Sequence, residues 1–137
     1  MAKAKHGQAV LIDCHSMPHE AMDGMTRRGV KRPNVVLGDR FGAAAGSEII
    51  DQVEQAFSAA GFSVTRNAPF AGAYITQAYG RPSKNQHAIQ VEIDRSLYMN
   101  ERLIQPNEQF NDVQYALRGV IAEVASIGQA QMPLAAE

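Results

Sequence analysis

Two stretches of apolar residues recur at helical spacing and predict the main helices. The first runs from Ser47 to Ala60, with Ser47 as a favourable N-cap and Gly61 at the position of a left-handed stop. The second predicts a long amphipathic helix from about Asn107 to Ile127. The residues expected on its buried stripe are Phe110, Val113, Leu117, Val120, Ile121 and Val124.

Other patterns predict strands. Apolar and polar residues alternate from Gln86 to Asp94, which predicts a strand with one polar face that carries Gln90, Glu92 and Asp94. Short apolar runs predict further strands at Gln8–Asp13, Asn34–Gly38 and Phe62–Arg66. Because helical segments separate these strands, we expect a layered α/β/α domain with a largely parallel or mixed sheet.

The remaining segments have weaker patterns. The basic residues 1–7 resemble the last turn of a helix that stops at Gly7, and Ser16–Pro33 is expected to be a long, functional loop. The region from Gly72 to Asn85 is expected to be irregular, and Gln129–Glu137 to be a frayed tail.

Composition narrows the class of protein. At 137 residues with 45% hydrophobic residues, the chain is long enough for one packed domain that covers residues 1–137. A formal charge of −1 gives no support to nucleic-acid or membrane-surface partners. The chain has no apolar run long enough to span a membrane and no signal-peptide pattern, so a cytoplasmic protein is expected. A single cysteine fits a reducing compartment.

Reactive side chains follow the first strand, in the sequence Asp13, Cys14, His15, Ser16. Pro18 argues against a helix at this point, so His15 is expected on a loop just past the carboxyl end of the strand, where α/β sheets bind ligands. His15 is a candidate metal ligand with Asp13 as the carboxylate that orients its ring. The alternative is a loop histidine bonded to the backbone. His19 is interpreted as a solvated loop residue.

Glu92 needs an explanation because a carboxylate in a covered sheet is costly to bury unless it is paired. It is either a general base near His15 or the partner of Arg95 or Arg81 in an ion pair. Arg81 is either a substrate-carboxylate contact or a surface arginine. Cys14 is either a thiol nucleophile or a buried structural cysteine, and the second interpretation is favoured.

Four motifs, in order and spacing, resemble the N-formylglutamate amidohydrolase family. The motifs are Leu11–Pro18, Asn67–Thr76, Tyr79–Pro82 and Gln90–Met99. The resemblance extends from about Gly7 to Gly128. It implies a zinc-carboxypeptidase-like, phosphorylase/hydrolase-like fold and a metal-dependent hydrolase, with zinc the expected metal. The implied substrate is N-formyl-L-glutamate, an N-formyl amino acid, which is cleaved to formate and glutamate in histidine degradation.

The same resemblance implies that His15 is a metal ligand and Glu92 the catalytic carboxylate, with Arg81 and Tyr74 as candidate substrate contacts. The family's N-terminal half carries a Pro-His-x-Gly metal motif and an Asp-x-Asn-Arg segment, and neither occurs here. We therefore expect this chain to correspond to the C-terminal portion of a longer hydrolase domain, to be inactive alone and to self-associate. Two alternatives stay open: a non-catalytic α/β domain or half of a complex, and a cysteine hydrolase that uses Cys14.

Overall fold

The computed structural model describes residues 2–25 and 28–127. The helices are α1 (Ala2–His6), α2 (Ser47–Ala59), α3 (Tyr74–Tyr79) and α4 (Phe110–Ser126). The strands are β1 (Ala9–Met17), β2 (Val35–Gly38), β3 (Val64–Arg66), β4 (Gln86–Asp94), β5 (Met99–Asn100) and β6 (Gln105–Pro106). Short 3₁₀ helices lie at His19–Met25, Pro82–Lys84 and Arg95–Leu97. No helix within these residues is long and apolar enough to cross a membrane.

The main sheet has four strands in the order β1-β4-β2-β3. β1 pairs with β4 in parallel, β2 pairs with β3 in parallel, and β2 pairs with β4 antiparallel. This mixed sheet confirms the predicted α/β class. Among the described residues no strand pairs with the outer side of β1, so β1 is an edge strand.

The two faces of the sheet differ in chemistry. On one face, apolar residues of β2 and β4 pack against α2, and α4 closes this core through Val120. On the other face, Met17 of β1 and Val36 of β2 pack with Met22 of the first 3₁₀ helix and with Phe70. Gln90 and Glu92 of β4 lie on this second face, as the alternation in the sequence predicts. We call it the polar face.

Backbone contacts bring a loop close to the polar face. A Cβ atom on Gly38 would lie 2.6 Å from backbone atoms of Ala71 and Gly72. That distance is shorter than real Cβ contacts, so only glycine lets the segment before α3 cross β2 here.

Several predicted boundaries are confirmed. β4 has the predicted bounds, β2 and β3 lie within their predicted segments, and α2 ends one residue early, before Ala60 and a left-handed Gly61. α1 ends before Gly7, which is also left-handed. The N-cap of α2 is Gly46 without a side-chain cap, so the prediction of Ser47 as N-cap is wrong.

The prediction that β1 ends at Asp13 is also wrong. β1 continues to Met17 because its backbone stays in register with β4, and Pro18, which has no N–H, follows its last residue. His15 therefore lies within a strand and not on a loop. β1 also forms one edge of the sheet, and its Leu11 is 41% exposed.

Three other segments differ from expectation. The Ser16–Pro33 loop contains a 3₁₀ helix, and the region before Asn85 contains α3 and a second 3₁₀ helix. α4 begins three residues late, and its stripe is only partly buried, because Ile121 is 66% exposed and Phe110 is also exposed. The predicted tail at Gln129–Glu137, and residues 26–27 of the long loop, lie outside the described residues.

Candidate functional site

The register between β1 and β4 builds a polar cluster on the polar face, next to the edge of the sheet. Asp13 pairs with Gln90 and His15 pairs with Glu92. Partners in a parallel ladder present their side chains to the same face, and residues two apart on a strand share that face. All four side chains therefore belong to one cluster, although they come from segments far apart in the sequence.

Asp13 holds the imidazole of His15. The Nε2 atom of His15 lies 2.9 Å from Oδ2 of Asp13, and the His15 side chain is 49% exposed. The carboxylate accepts the proton on Nε2, which leaves Nδ1 as the ring nitrogen available to a ligand. This is the carboxylate–histidine pairing that the sequence predicts, formed within one strand.

Glu92 is buried, and its hydrogen-bond partner is Gln90. The Nε2 atom of Gln90 donates to Oε1 of Glu92 over 2.8 Å, and Oε1 of Gln90 accepts from the backbone N–H of Ala73 over 2.8 Å. Neither proposed ion pair of Glu92 forms. Arg95 donates instead to the hydroxyl and carbonyl of Ser16, and Arg81 donates to backbone carbonyls.

A second histidine is fixed near the carboxyl ends of β1 and β4. Nδ1 of His19 lies 2.7 Å from Oδ2 of the buried Asp94 and 3.0 Å from the hydroxyl of Ser96. Its backbone N–H donates to Glu101. His19 is therefore exposed, as predicted, but it begins a 3₁₀ helix and is held by specific partners, so its interpretation as a loop residue is wrong.

The two candidate substrate contacts, Tyr74 and Arg81, lie at different distances from the polar cluster. Tyr74 is exposed and follows Ala73, which is bonded to Gln90, so it begins α3 beside the polar cluster. Arg81 pairs with Gln86 at the start of β4. Glu92 lies six positions after Gln86, which is about 20 Å along a strand. Arg81 is therefore not brought together with Glu92.

Cys14 is exposed on the edge strand, so its prediction as a buried cysteine is wrong. Partial desolvation of the thiol, with a further contribution from the charge of Asp13, raises the pKa of Cys14. A raised pKa lowers the population of the thiolate, which is the nucleophilic form. The environment of Cys14 is therefore unlike that of an activated cysteine nucleophile.

The zinc ion implied by the resemblance needs about three protein ligands in a catalytic site. Within residues 2–25 and 28–127, no group of three or more His, Cys, Asp and Glu side chains is arranged to hold a metal ion. His15 with its Asp13 partner has the character of one ligand, but the described residues do not form a complete metal site.

Comparisons with known proteins agree with these motifs. Residues 1–99 match the family model for N-formylglutamate amidohydrolase. A curated N-formylglutamate deformylase from Pseudomonas aeruginosa is 35% identical over 127 residues, which cover 89% of this chain and 44% of that protein. A second, from Pseudomonas putida, is 35% identical over 104 residues, which cover 72% of this chain and 36% of that protein.

A solved structure has the same fold. The crystal structure of N-formylglutamate amidohydrolase from Ralstonia eutropha JMP134 superposes with a TM-score of 0.79 at 30% identity, covering 94% of this chain and 45% of that one. The chain therefore spans less than half the length of the relatives it matches. The family model covers well over half of the chain, and so the chain belongs to the N-formylglutamate amidohydrolase family.

Proposed function

We propose that this chain supplies one half of the active site of a metal-dependent amide hydrolase that converts N-formyl-L-glutamate and water to formate and L-glutamate. The observation that carries the proposal is the pairing of His15 with Glu92 across β1 and β4. Family membership supports the choice of N-formyl-L-glutamate as the substrate, because the curated relatives are N-formylglutamate deformylases. We place the reaction in cytoplasmic histidine degradation.

Glu92 is the proton-transferring group in this proposal. It takes a proton from the attacking water as the new C–O bond forms at the formyl carbon. It then gives the proton to the leaving nitrogen of glutamate as the C–N bond breaks. General acid–base catalysis of this kind contributes about 100-fold to 10,000-fold in rate.

The same proposal assigns His15 as one metal ligand, oriented by Asp13. Since the described residues do not form a complete metal site, we propose that another polypeptide segment supplies the other ligands. The isolated 137-residue chain is therefore proposed to be inactive and to bind zinc weakly. Tyr74 is the better placed of the two candidate substrate contacts, since Arg81 lies at the far end of β4.

A chimera tests the proposal. In it, this chain replaces the matching portion of the Pseudomonas aeruginosa relative, and formate release from N-formyl-L-glutamate is measured with one added zinc per chain. We expect the chimera to release formate and the isolated chain to release none. His15→Asn should lower the zinc content of the chimera, whereas His6→Asn, on the exposed α1, should not.

The rival functions give different results in the same assay. A folded chimera that binds zinc but releases no formate would support a non-catalytic α/β domain. Activity that survives chelation and is lost on thiol alkylation would support a cysteine hydrolase. Formate release by the isolated chain with tightly bound zinc would show that no further half is needed.

A further inference from the structure

Gln90 occupies an unusual position between Glu92 and the loop that crosses the polar face. It is buried, and both ends of its amide are used: Nε2 donates to Glu92, and Oε1 accepts from Ala73, each over 2.8 Å. A carboxylate can only accept and a backbone N–H can only donate, so this environment fixes the orientation of the amide. A buried amide without these partners would be costly.

We propose that Gln90 is a positioning residue that sets the reactive orientation of Glu92; this rests on the proposed role of Glu92 in proton transfer. Gln90 bonds to Oε1 of Glu92, while Oε2 takes no hydrogen bond from the described residues. The bond therefore selects Oε2 as the oxygen that exchanges a proton with water and substrate. Hydrogen bonds to an ionised group are stronger than neutral ones, so this bond can hold a single rotamer.

The other end of Gln90 links the same carboxylate to the substrate side of the cluster. Ala73 precedes Tyr74, and the close passage of Ala71 and Gly72 over Gly38 holds this segment against the sheet. Displacement of the segment by substrate would therefore move the amide of Gln90, and the amide would move Oε1 of Glu92. Gln90 therefore contacts both Glu92 and the residue that precedes Tyr74.

A purely structural role makes a different prediction. If Gln90 only satisfied the N–H of Ala73, its replacement would disturb the loop and the stability but would leave the carboxylate of Glu92 unchanged. The two ends of the amide can therefore be tested separately.

The experiment uses the 137-residue chain labelled with ¹³C and ¹⁵N, and compares Gln90→Met with the matched control Gln86→Met at the start of the same strand. We expect Gln90→Met to shift both the Glu92 carboxyl ¹³C resonance and the Ala73 amide resonance, and Gln86→Met to shift neither. If Gln90→Met fails to fold, Gln90→Leu replaces it, because that side chain is also apolar and can neither donate to Glu92 nor accept from Ala73. A Glu92 resonance that stays unchanged in a folded variant would overturn the proposal.

Kinetics of the chimera give a second readout. We expect Gln90→Met to lower kcat by about 10-fold to 100-fold, the loss of one hydrogen bond to a charged group, with KM changed less than about twofold. If the chimera with the unsubstituted chain is inactive while the Glu92 resonance still shifts, the proposed function fails and the contact stands. If that chimera is active and Gln90→Met keeps its kcat, the positioning role fails and the proposed function stands.

Discussion

His15 and Glu92 are register partners on the parallel strands β1 and β4, and both side chains lie on the polar face. This pairing is set by the backbone ladder, so it does not depend on the conformation of a loop. In a parallel ladder, a slip of one residue would move His15 to the opposite face from Glu92. The integrity of the β1–β4 register is therefore a requirement for any chemistry that uses both groups.

Glu92→Gln should abolish formate release by the chimera without changing its fold. The amide keeps the shape of the side chain and its acceptor for Gln90, but it cannot carry the transferred proton. We expect kcat to fall by about 100-fold to 10,000-fold. Glu123→Gln, the same change on the exposed side of α4, serves as the control. Near-normal turnover of Glu92→Gln would reassign Glu92 to a structural role.

The edge of β1 should mediate self-association of the isolated chain. The N–H of Ala9 points to β4, so alternation directs the backbone groups of Val10, Ile12 and Cys14 to the open side. An unpaired strand edge can recruit a second strand. Leu11→Lys should therefore shift the mass in light scattering towards the 14.9 kDa monomer.

Leu103→Lys is the matched control, since Leu103 is also exposed but follows β5. If both variants and the unsubstituted chain are monomeric, the open edge does not drive association. If both variants remain associated, another surface is responsible.

Protonation of His87 should destabilise the fold at acidic pH. His87 is buried, its Nδ1 accepts from the N–H of Gly46 at the start of α2 over 3.0 Å, and burial lowers its pKa. The unfolded state thus binds the proton at higher pH than the folded state. Stability should be fully present above the unfolded value near pH 6.5 and decline as the pH falls towards the lower folded value.

Urea unfolding at pH 7.5 and pH 5.5 measures this effect. One group contributes a slope of at most about 1.4 kcal/mol per pH unit. His87→Gln should lose less stability between the two pH values than the unsubstituted chain. His6→Gln, on the exposed α1, should lose as much stability as the unsubstituted chain. Equal losses in all three proteins would exclude His87 as the titrating group.

Two glycine substitutions should change stability in opposite directions. Gly38→Ala places a Cβ atom 2.6 Å from the backbone of Ala71, so we expect a loss of about 1–3 kcal/mol or more in the free energy of unfolding. Gly119→Ala lies in open space within α4 and should gain about 0.5–1 kcal/mol. Urea denaturation of both variants decides this. A neutral Gly38→Ala would mean that the loop can move away from β2.

Cys14→Ser should leave the activity of the chimera unchanged. The raised pKa of the thiol keeps it mostly protonated at neutral pH, and its neighbour His15 points to the other face of the strand. Iodoacetamide should react with it more slowly than with a free cysteine, as measured by mass spectrometry. Loss of formate release in Cys14→Ser would instead support a cysteine hydrolase that uses Cys14.

The sequence predicts best where one periodic pattern decides the structure. The alternation in β4 identifies its polar face, including Glu92, because each side of the strand meets a different layer. β1 is harder to predict, because Asp13 to Ser16 read as a polar loop and their strand conformation depends on pairing with β4. α3 is short and packs on the sheet through the buried Thr76, so tertiary contacts and not propensity determine it.

Gln90 and the bond of His19 to Asp94 are parts of the site that the sequence patterns did not identify. Gln90 could have been identified, since it lies two residues before Glu92 on one strand face. The bond of His19 to Asp94 could not, because it joins a 3₁₀ helix to the end of a distant strand. The exposure of Ile121 also has no local signal, since its periodic position fits a buried stripe.

The parallel pairing of β1 with β4 also affects the order in which the elements can fold during synthesis. β2, α2 and β3 are contiguous and can assemble early, but Ala9 pairs with Gln86 and Met17 with Asp94. Contacts between such distant residues form late, and unpaired strands expose apolar surface until they do. Because β1 leaves the ribosome before β4, it stays unpaired until β4 has emerged. We expect a molecular chaperone that shields Ala9–Met17 until Asp94 has emerged to raise the yield of folded chain.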